Sequence, residues 1–326
     1  MQREDTNVDK RKFWLIARKY ATLLILAIFL IAMAFLTDRF FTFKNLTNVG
    51  RQISLNAIIA IGMTLVIISG GIDLSVGGVC ALSCCMCARL LNTTQSIFLA
   101  VAVALLIGIV VGLINGFIIS KTGIAPFIVT LSTVSITRGI TLVFTNASPQ
   151  PISNPVFKQI GQGTFMNIPI PIYIMIVIAL IAAFVMSKTM FGRYVYAIGG
   201  NEKSAIVAGI RVQAVKTLVY VISGFLSAFT AVIYTARLSS GVPSLGDGFE
   251  MDAITAAVIG GASLSGGQGG IWGTLIGAVI IGILNNALNL LNINSYYQEI
   301  VTGGVVLLAV LFDYFIQSRI TSKDRA

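Results

Sequence analysis

Long apolar runs separated by short polar segments recur along the chain from Tyr20 to Gln317. They fall at about 20–36, 52–69, 77–91, 97–119, 125–145, 168–186, 216–236, 251–263, 272–291 and 297–316. Most approach the ~20 residues that a helix needs to cross the hydrocarbon core of a bilayer. Lipid offers no partner to a backbone N–H or C=O, so runs of this kind predict bundled helices. The pattern predicts an all-α polytopic membrane protein with about ten spans. The runs at 77–91 and 251–263 are too short for a straight crossing and are expected to be broken or tilted. The chain divides into a polar, basic segment at 1–19, a membrane domain at 20–316 and a tail at 317–326.

Ten crossings would put both termini on one side of the membrane. Most of the 22 Lys and Arg then share that side; Arg39, Lys44, Arg51, Arg89, Lys158 and Arg237 lie on the other, and Arg138 falls inside a run. The excess predicts cytoplasmic termini. Arg39, Lys44 and Arg51 run against the rule, so 37–51 is expected to be an interfacial segment instead of a simple outer loop. The run Tyr20–Leu36 exceeds a signal-peptide core and lacks a small-residue cleavage site, which predicts a retained first span. The longest outer connection, 146–167, is rich in Pro, Asn and Gly and reads as an irregular loop. The longest inner connection, 187–215, is punctuated by Gly199-Gly200. Asn201-Glu202 then opens a short helix that should end at Gly209, a natural docking knob for a soluble partner.

Composition sharpens this picture. Of 326 residues, 56% are hydrophobic and 10% charged, against about a quarter charged in soluble domains. The net charge of +10 is distributed as topology requires and does not indicate nucleic-acid binding. The absence of histidine removes His-based acid/base chemistry, Ser-His-Asp triads and His-ligated metals. Cys80, Cys84, Cys85 and Cys87 share one apolar stretch and read as small residues at helix contacts, not as a metal site. No G-x-x-x-x-G-K-[ST] phosphate loop is present; the nearest string, Gly116–Thr122, has Ser120 in place of the second glycine. The chain is therefore expected to hold no cofactor and to hydrolyse no ATP. Carboxylates near the runs are few, chiefly Asp73, Asp252, Glu299 and Asp313, which weighs against a proton relay or an intramembrane hydrolase.

Two glycine-rich breaks stand out. Gly70–Gly77 (GGIDLSVG) and Gly260–Gly267 (GGASLSGG) share the pattern G-G-x-x-L-S-x-G, and each ends an outside-to-inside run. Paired interruptions in two halves point to a transporter's internal repeat, although the spacing here is not that of a regular one. A looser echo joins Gly112-Leu113-Ile114-Asn115 to Gly282-Ile283-Leu284-Asn285. Two readings stay open: unwound backbone lining or gating a path, or glycines permitting close helix packing. Asp73 is either a costly intramembrane carboxylate with a function or a helix cap. Arg138 sits in a stretch studded with Thr130, Ser132, Thr133, Ser135 and Thr137, which suits either a wet path for a hydroxylated solute or interhelical hydrogen bonds. The candidate pathway or gating residues are Gly70, Gly71, Asp73, Ser75, Asn115, Arg138, Gly261, Ser263 and Asn285, and Asn286 is as ambiguous as Asn285.

Several longer strings carry a resemblance. GGIDLSVG at Gly70–Gly77 is followed by APFIVTL from Ala125 and FGRYVYAIGGNE from Phe191. ARLSS from Ala236, the stretch from Asp252 to Gly267 and NINSYYQ from Asn292 complete the set. In this order, over about residues 20–316, the chain resembles the membrane permease subunits of bacterial ABC monosaccharide importers. The resemblance implies a type II-like importer architecture and a second permease copy in the inner membrane. It also implies a cytoplasmic ABC ATPase that holds the ATP and Mg, and a periplasmic or lipid-anchored sugar-binding protein. Asn201, Glu202, Lys203, Ser204, Ala205 and Gly209 resemble the family's ATPase-coupling segment, with Lys203 where a glutamate is common. The implied cargo is a pentose or hexose, ribose first. The competing expectation is an ATPase-independent facilitator or ion-coupled carrier of small polar solutes.

Overall fold

The computed structural model describes residues 37–294 without interruption, together with 26–27, 30–31, 33–35, 297–298, 300–305, 307–308 and 310–311. The expected first and last spans and both polar ends lie largely outside the described residues. Seven long apolar helices follow one another: α1 (Phe43–Ile68), α2 (Val76–Thr94), α3 (Ile97–Thr122), α4 (Pro126–Thr145), α6 (Ile170–Lys188), α9 (Val212–Leu238) and α11 (Ile271–Leu290). Shorter helices lie between them: α5 (Pro155–Gln162), α7 (Met190–Gly200), α8 (Glu202–Val207) and α10 (Phe249–Ile259). The only strands among the described residues are two-residue pieces: β1 (Gln150–Pro151) pairs with β4 (Ser240–Gly241), and β2 (Thr164–Phe165) with β3 (Ile168–Pro169), all antiparallel.

Polar residues set the helix starts. The side chains of Thr42, Ser96, Asn154, Thr189 and Asn201 each accept a hydrogen bond from a backbone N–H of the first turn that follows. Pro126 and Pro155 open α4 and α5, where a missing N–H costs nothing.

Helices α1, α2 and α9 form the interior. The most apolar helices, α3 and α6, are instead among the most exposed. That inversion is expected of a bundle whose outer solvent is hydrocarbon, since lipid tails accept Leu and Ile while helix contacts favour small residues. The α3–α9 contact illustrates it. Gly108 and Gly224 lie so close that a Cβ on either would strike the other's carbonyl, and Gly112 and Gly116 abut the backbone at Tyr220 and Thr217. All four cysteines are buried as expected, free and packed within the bundle.

Three expectations are corrected. The run expected to begin at about 52 starts earlier, because α1 already begins at Phe43. Its polar first turns are satisfied by tertiary contacts: the Asn45 and Asn286 amides exchange hydrogen bonds of 3.0 Å. The run at 77–91 extends to a 19-residue helix, whereas α10, at 11 residues, is short as predicted. The connection 146–167 contains the helix α5 and a β2–β3 hairpin whose turn residues, Met166 and Asn167, both have positive φ, as a two-residue hairpin turn demands.

Candidate functional site

The two G-G-x-x-L-S-x-G motifs are helix terminations of one design. At the end of α1, the Gly70 N–H donates to the Ile67 carbonyl at 2.9 Å and the Gly71 N–H to Val66 at 3.0 Å. At the end of α10, Gly261 donates to Val258 and Ala262 to Ala257, both at 2.9 Å. This is the paired 5→2 and 6→1 bonding of a Schellman cap, with Gly70 at φ 83° and Gly261 at φ 93°. Helix α8 ends the same way: Gly209, at φ 79°, donates to Ile206 and Ile210 to Ala205. The glycines are therefore required by left-handed backbone, and at Gly70, Gly209 and Gly261 no atom lies within 4 Å of an added Cβ.

These terminations meet at one end of the bundle. The Gly267 N–H donates to the Ile68 carbonyl at 2.9 Å, joining the second break to the first. Gly199 of α7 is wedged between them, since a Cβ there would strike the Ile68 carbonyl and Gly267. The Tyr196 hydroxyl donates to the Gly269 carbonyl at 2.9 Å. Burial pushes the Tyr196 phenol up in pKa, so it remains a donor through the physiological range. Gly199-Gly200, expected only to punctuate the connection, are the last residues of α7 and its contact with both breaks. Ser263, buried within the second break, accepts from the Ser265 N–H.

Asp73 anchors the first break. It is 1% exposed. Its Oδ1 accepts from the Ser75 N–H at 3.0 Å and from the Ser75 hydroxyl, and its Oδ2 accepts from the Ser223 hydroxyl of α9 at 2.7 Å. Ser75 in turn accepts from the Asn115 amide of α3 at 2.9 Å, and Asn115 Oδ1 accepts from the Thr133 hydroxyl of α4 at 2.6 Å. Burial pushes the Asp73 carboxyl up, and the bonds from Ser75 and Ser223 draw it back. Four segments are thus tied by one chain of buried polar groups, each with a partner. Asp73 acts near the start of α2 as a cap would, although the capping position itself is Ser75 and the helix begins at Val76. Most of the remaining hydroxyls of α4 bond back to carbonyls of their own helix.

On the exposed side of the same end stands α8. Asn201 Oδ1 accepts from the Ser204 N–H at 2.9 Å, Ala205 is buried, and Lys203, Ser204, Ile206 and Val207 are exposed. Glu202 pairs with Lys216 of α9 at 2.6 Å, an ion pair the sequence reading missed because its partners lie on separate elements. Arg138 pairs with Asp247 in the loop after β4, and Gly246 of that loop lies against the backbone of Gly77 at the close of the first break. That pair lines a cavity of about 270 Å³ with Leu142, Pro149, Val242 and Ser244. Asn285 is half-buried on α11 and is not brought to either cluster. Outside the predicted set, Asn56 donates to Asp252 at 3.4 Å and accepts from the Tyr234 hydroxyl at 3.1 Å. No group of acidic or cysteine side chains capable of holding a metal occurs among the described residues.

With this geometry in view, comparison with known proteins is direct. Residues 45–310 match the family described as "Branched-chain amino acid transport system / permease component". The chain is 45% identical to the ribose import permease protein RbsC of Haemophilus influenzae, over 98% of this chain and 99% of that one. It is 44% identical to the ribose import permease protein RbsC of Bacillus subtilis, over 91% and 93% of the two chains. It is 40% identical to the D-allose transport system permease protein AlsC of Escherichia coli, over 93% of each. No solved structure matches. A multi-span helical bundle, paired glycine terminations and near full-length similarity agree, and the chain belongs to this family of transport-system permease components.

Proposed function

We propose that the chain is the membrane permease of an ATP-driven importer of a monosaccharide, with ribose as the cargo, working in the inner membrane with both termini in the cytoplasm. The observation that carries the reading is the meeting of both breaks with α7, immediately before the exposed helix α8. A push on α8 is transmitted through the Asn201 cap and Gly199 to the ends of α1 and α10. In this reading Asn201, Glu202, Lys203, Ser204, Ala205 and Gly209 receive a cytoplasmic ATPase. A second permease copy completes the path, and a sugar-binding protein docks at the Arg138–Asp247 end.

The breaks around Gly70, Gly71, Gly261 and Ser263 act as the inner gate, and Asp73, Ser75 and Asn115 hold its closed arrangement. Arg138 lies at the outer mouth and Asn285 borders the path. Sugar hydroxyls need donors and acceptors in place of water, which the partly buried Asn56 and Asp252 and the buried Tyr234 supply. ATPase and loaded binding protein bias an alternating-access equilibrium, each by its differential affinity for the two states.

Reconstitution in liposomes tests this. The permease alone should move little ribose, and adding the ATPase, ATP and the loaded binding protein should start uptake. Uptake by the permease alone at a comparable rate would favour a facilitator and overturn the proposal.

A further inference from the structure

We propose that the groove between α3 and α9 is a binding site for an anionic phospholipid, taking one acyl chain along its length and the phosphate at its mouth. The groove is a cavity of about 420 Å³. One wall is Leu113, Phe117 and Lys121, spaced i, i+4, i+8 on α3; the other includes Leu218 and Val221 of α9. At 1.5 Å rise per residue this wall is about 12 Å long. Its floor is the close seam at Gly112 and Gly116, and the Ser120 and Thr217 hydroxyls share a 3.1 Å hydrogen bond beneath Lys121. Leu113 is 48% exposed, Phe117 53% and Leu218 46%, so the apolar walls are open to the hydrocarbon around the bundle.

The mouth is cationic. Lys121 Nζ lies 5.0 Å over the Phe117 ring, which keeps the ammonium at the end of the groove, beside Gln213. Lys121 forms no ion pair among the described residues, and Glu202 is engaged by Lys216. Neither α3 nor α9 carries a single Asp or Glu. A second copy of the chain packed on itself through this face would oppose cations with no anion to answer them, whereas a lipid phosphate answers Lys121 directly. An apolar slot ending in a cation matches an acyl chain ending in a phosphate. The orientation proposed above puts the mouth in the cytoplasmic leaflet, where anionic headgroups attract basic side chains.

The test is native mass spectrometry of the full chain released from detergent, with palmitoyl-oleoyl phosphatidylglycerol and phosphatidylcholine as probes. The wild type should retain phosphatidylglycerol more tightly. Lys121→Gln should weaken that binding about five-fold and leave phosphatidylcholine unchanged. Leu218→Trp should reduce both, with Val221→Phe as the substitute if the tryptophan variant is not monodisperse. Lys188→Gln, another exposed lysine at a helix end, should change nothing. Equal retention of the two lipids, an unchanged Lys121→Gln, or displacement by millimolar inorganic phosphate would overturn the proposal. So would disulfide cross-linking of two Leu218→Cys copies in membranes, which would make the groove a permease–permease contact. The measurement needs no ATPase, sugar or binding protein, so it stands or falls separately from the transport reading.

Discussion

The two ends of the bundle solve the same backbone problem with different residues. At the end carrying α7 and α8, the left-handed positions are Gly70, Gly123, Gly209, Gly261, Gly266, Gly267 and Gly269. At the opposite end they are residues with side chains: Gln95, Asn146, Ala147, Met166, Asn167, Ser239 and Asn292; Gly246 and Gly248, also left-handed, lie in the loop whose Gly246 packs against Gly77 of the first break. A left-handed conformation costs an L-residue roughly 1–2 kcal/mol and glycine almost nothing. Part of the asymmetry is steric. Gly266, Gly267 and Gly269 touch backbone of the first break, of α7 or of the second break itself, where no Cβ fits. The rest is conformational, since Gly70, Gly209 and Gly261 have open space and need only the dihedral. One end is therefore joined backbone to backbone with little strain, and the other tolerates strained turns on residues with side chains. A gate that must switch between two arrangements suits the first construction; a docking face suits the second.

The comparison can be broken most forcefully at Gly199. Gly199→Val places side-chain atoms against the Ile68 carbonyl and Gly267, and should destabilise by about 3 kcal/mol or prevent folding. Thermal unfolding in detergent measures it, and an unchanged midpoint would mean that the two breaks separate freely.

Next in size is Asp73→Ala, which strands the Ser75 N–H and the Ser75 and Ser223 hydroxyls at a cost of about 2–3 kcal/mol. Asp73→Asn keeps an acceptor and should lose less. Equal melting of the two variants would refute the anchoring role.

Open-space positions sharpen the contrast. Gly209→Ala should cost about 1 kcal/mol through strain alone, and Gln95→Gly at the far end should gain a similar amount. Denaturant titration should show opposite signs, and a loss in both would indicate that the side chain at Gln95 matters more than its dihedral.

The smallest stability effect is expected at the ion pair. Glu202→Gln or Lys216→Gln should change stability by less than about 1 kcal/mol, since Glu202 is half exposed. Either variant should still uncouple ATP hydrolysis from transport in the reconstituted complex, the double variant no more than each single one. Full coupling in the singles would remove the pair from the proposed transmission.

Much of the fold was legible because lipid imposes a local rule: every backbone group must be satisfied within its own segment. The helices at Ile97–Thr122, Pro126–Thr145 and Ile170–Lys188 follow their apolar runs to within a few residues, and α8 appears between Asn201 and Gly209 because cap and terminator are themselves local signals. The start of α1 was not legible. Its first turns, with Lys44, Asn45 and Arg51, look like loop, and Asn45 finds its partner only on α11.

The sequence by itself determined that this chain is a helical membrane bundle interrupted at two glycine motifs, since spacing and dihedral preference are properties of neighbouring residues. Only the tertiary structure decided that those motifs are matching caps in mutual contact, that Gly199 sits between them, and that Asp73 bonds to Ser223 of α9. Such partners are distant along the chain and are selected by packing, and packing places atoms that periodicity and propensity leave free.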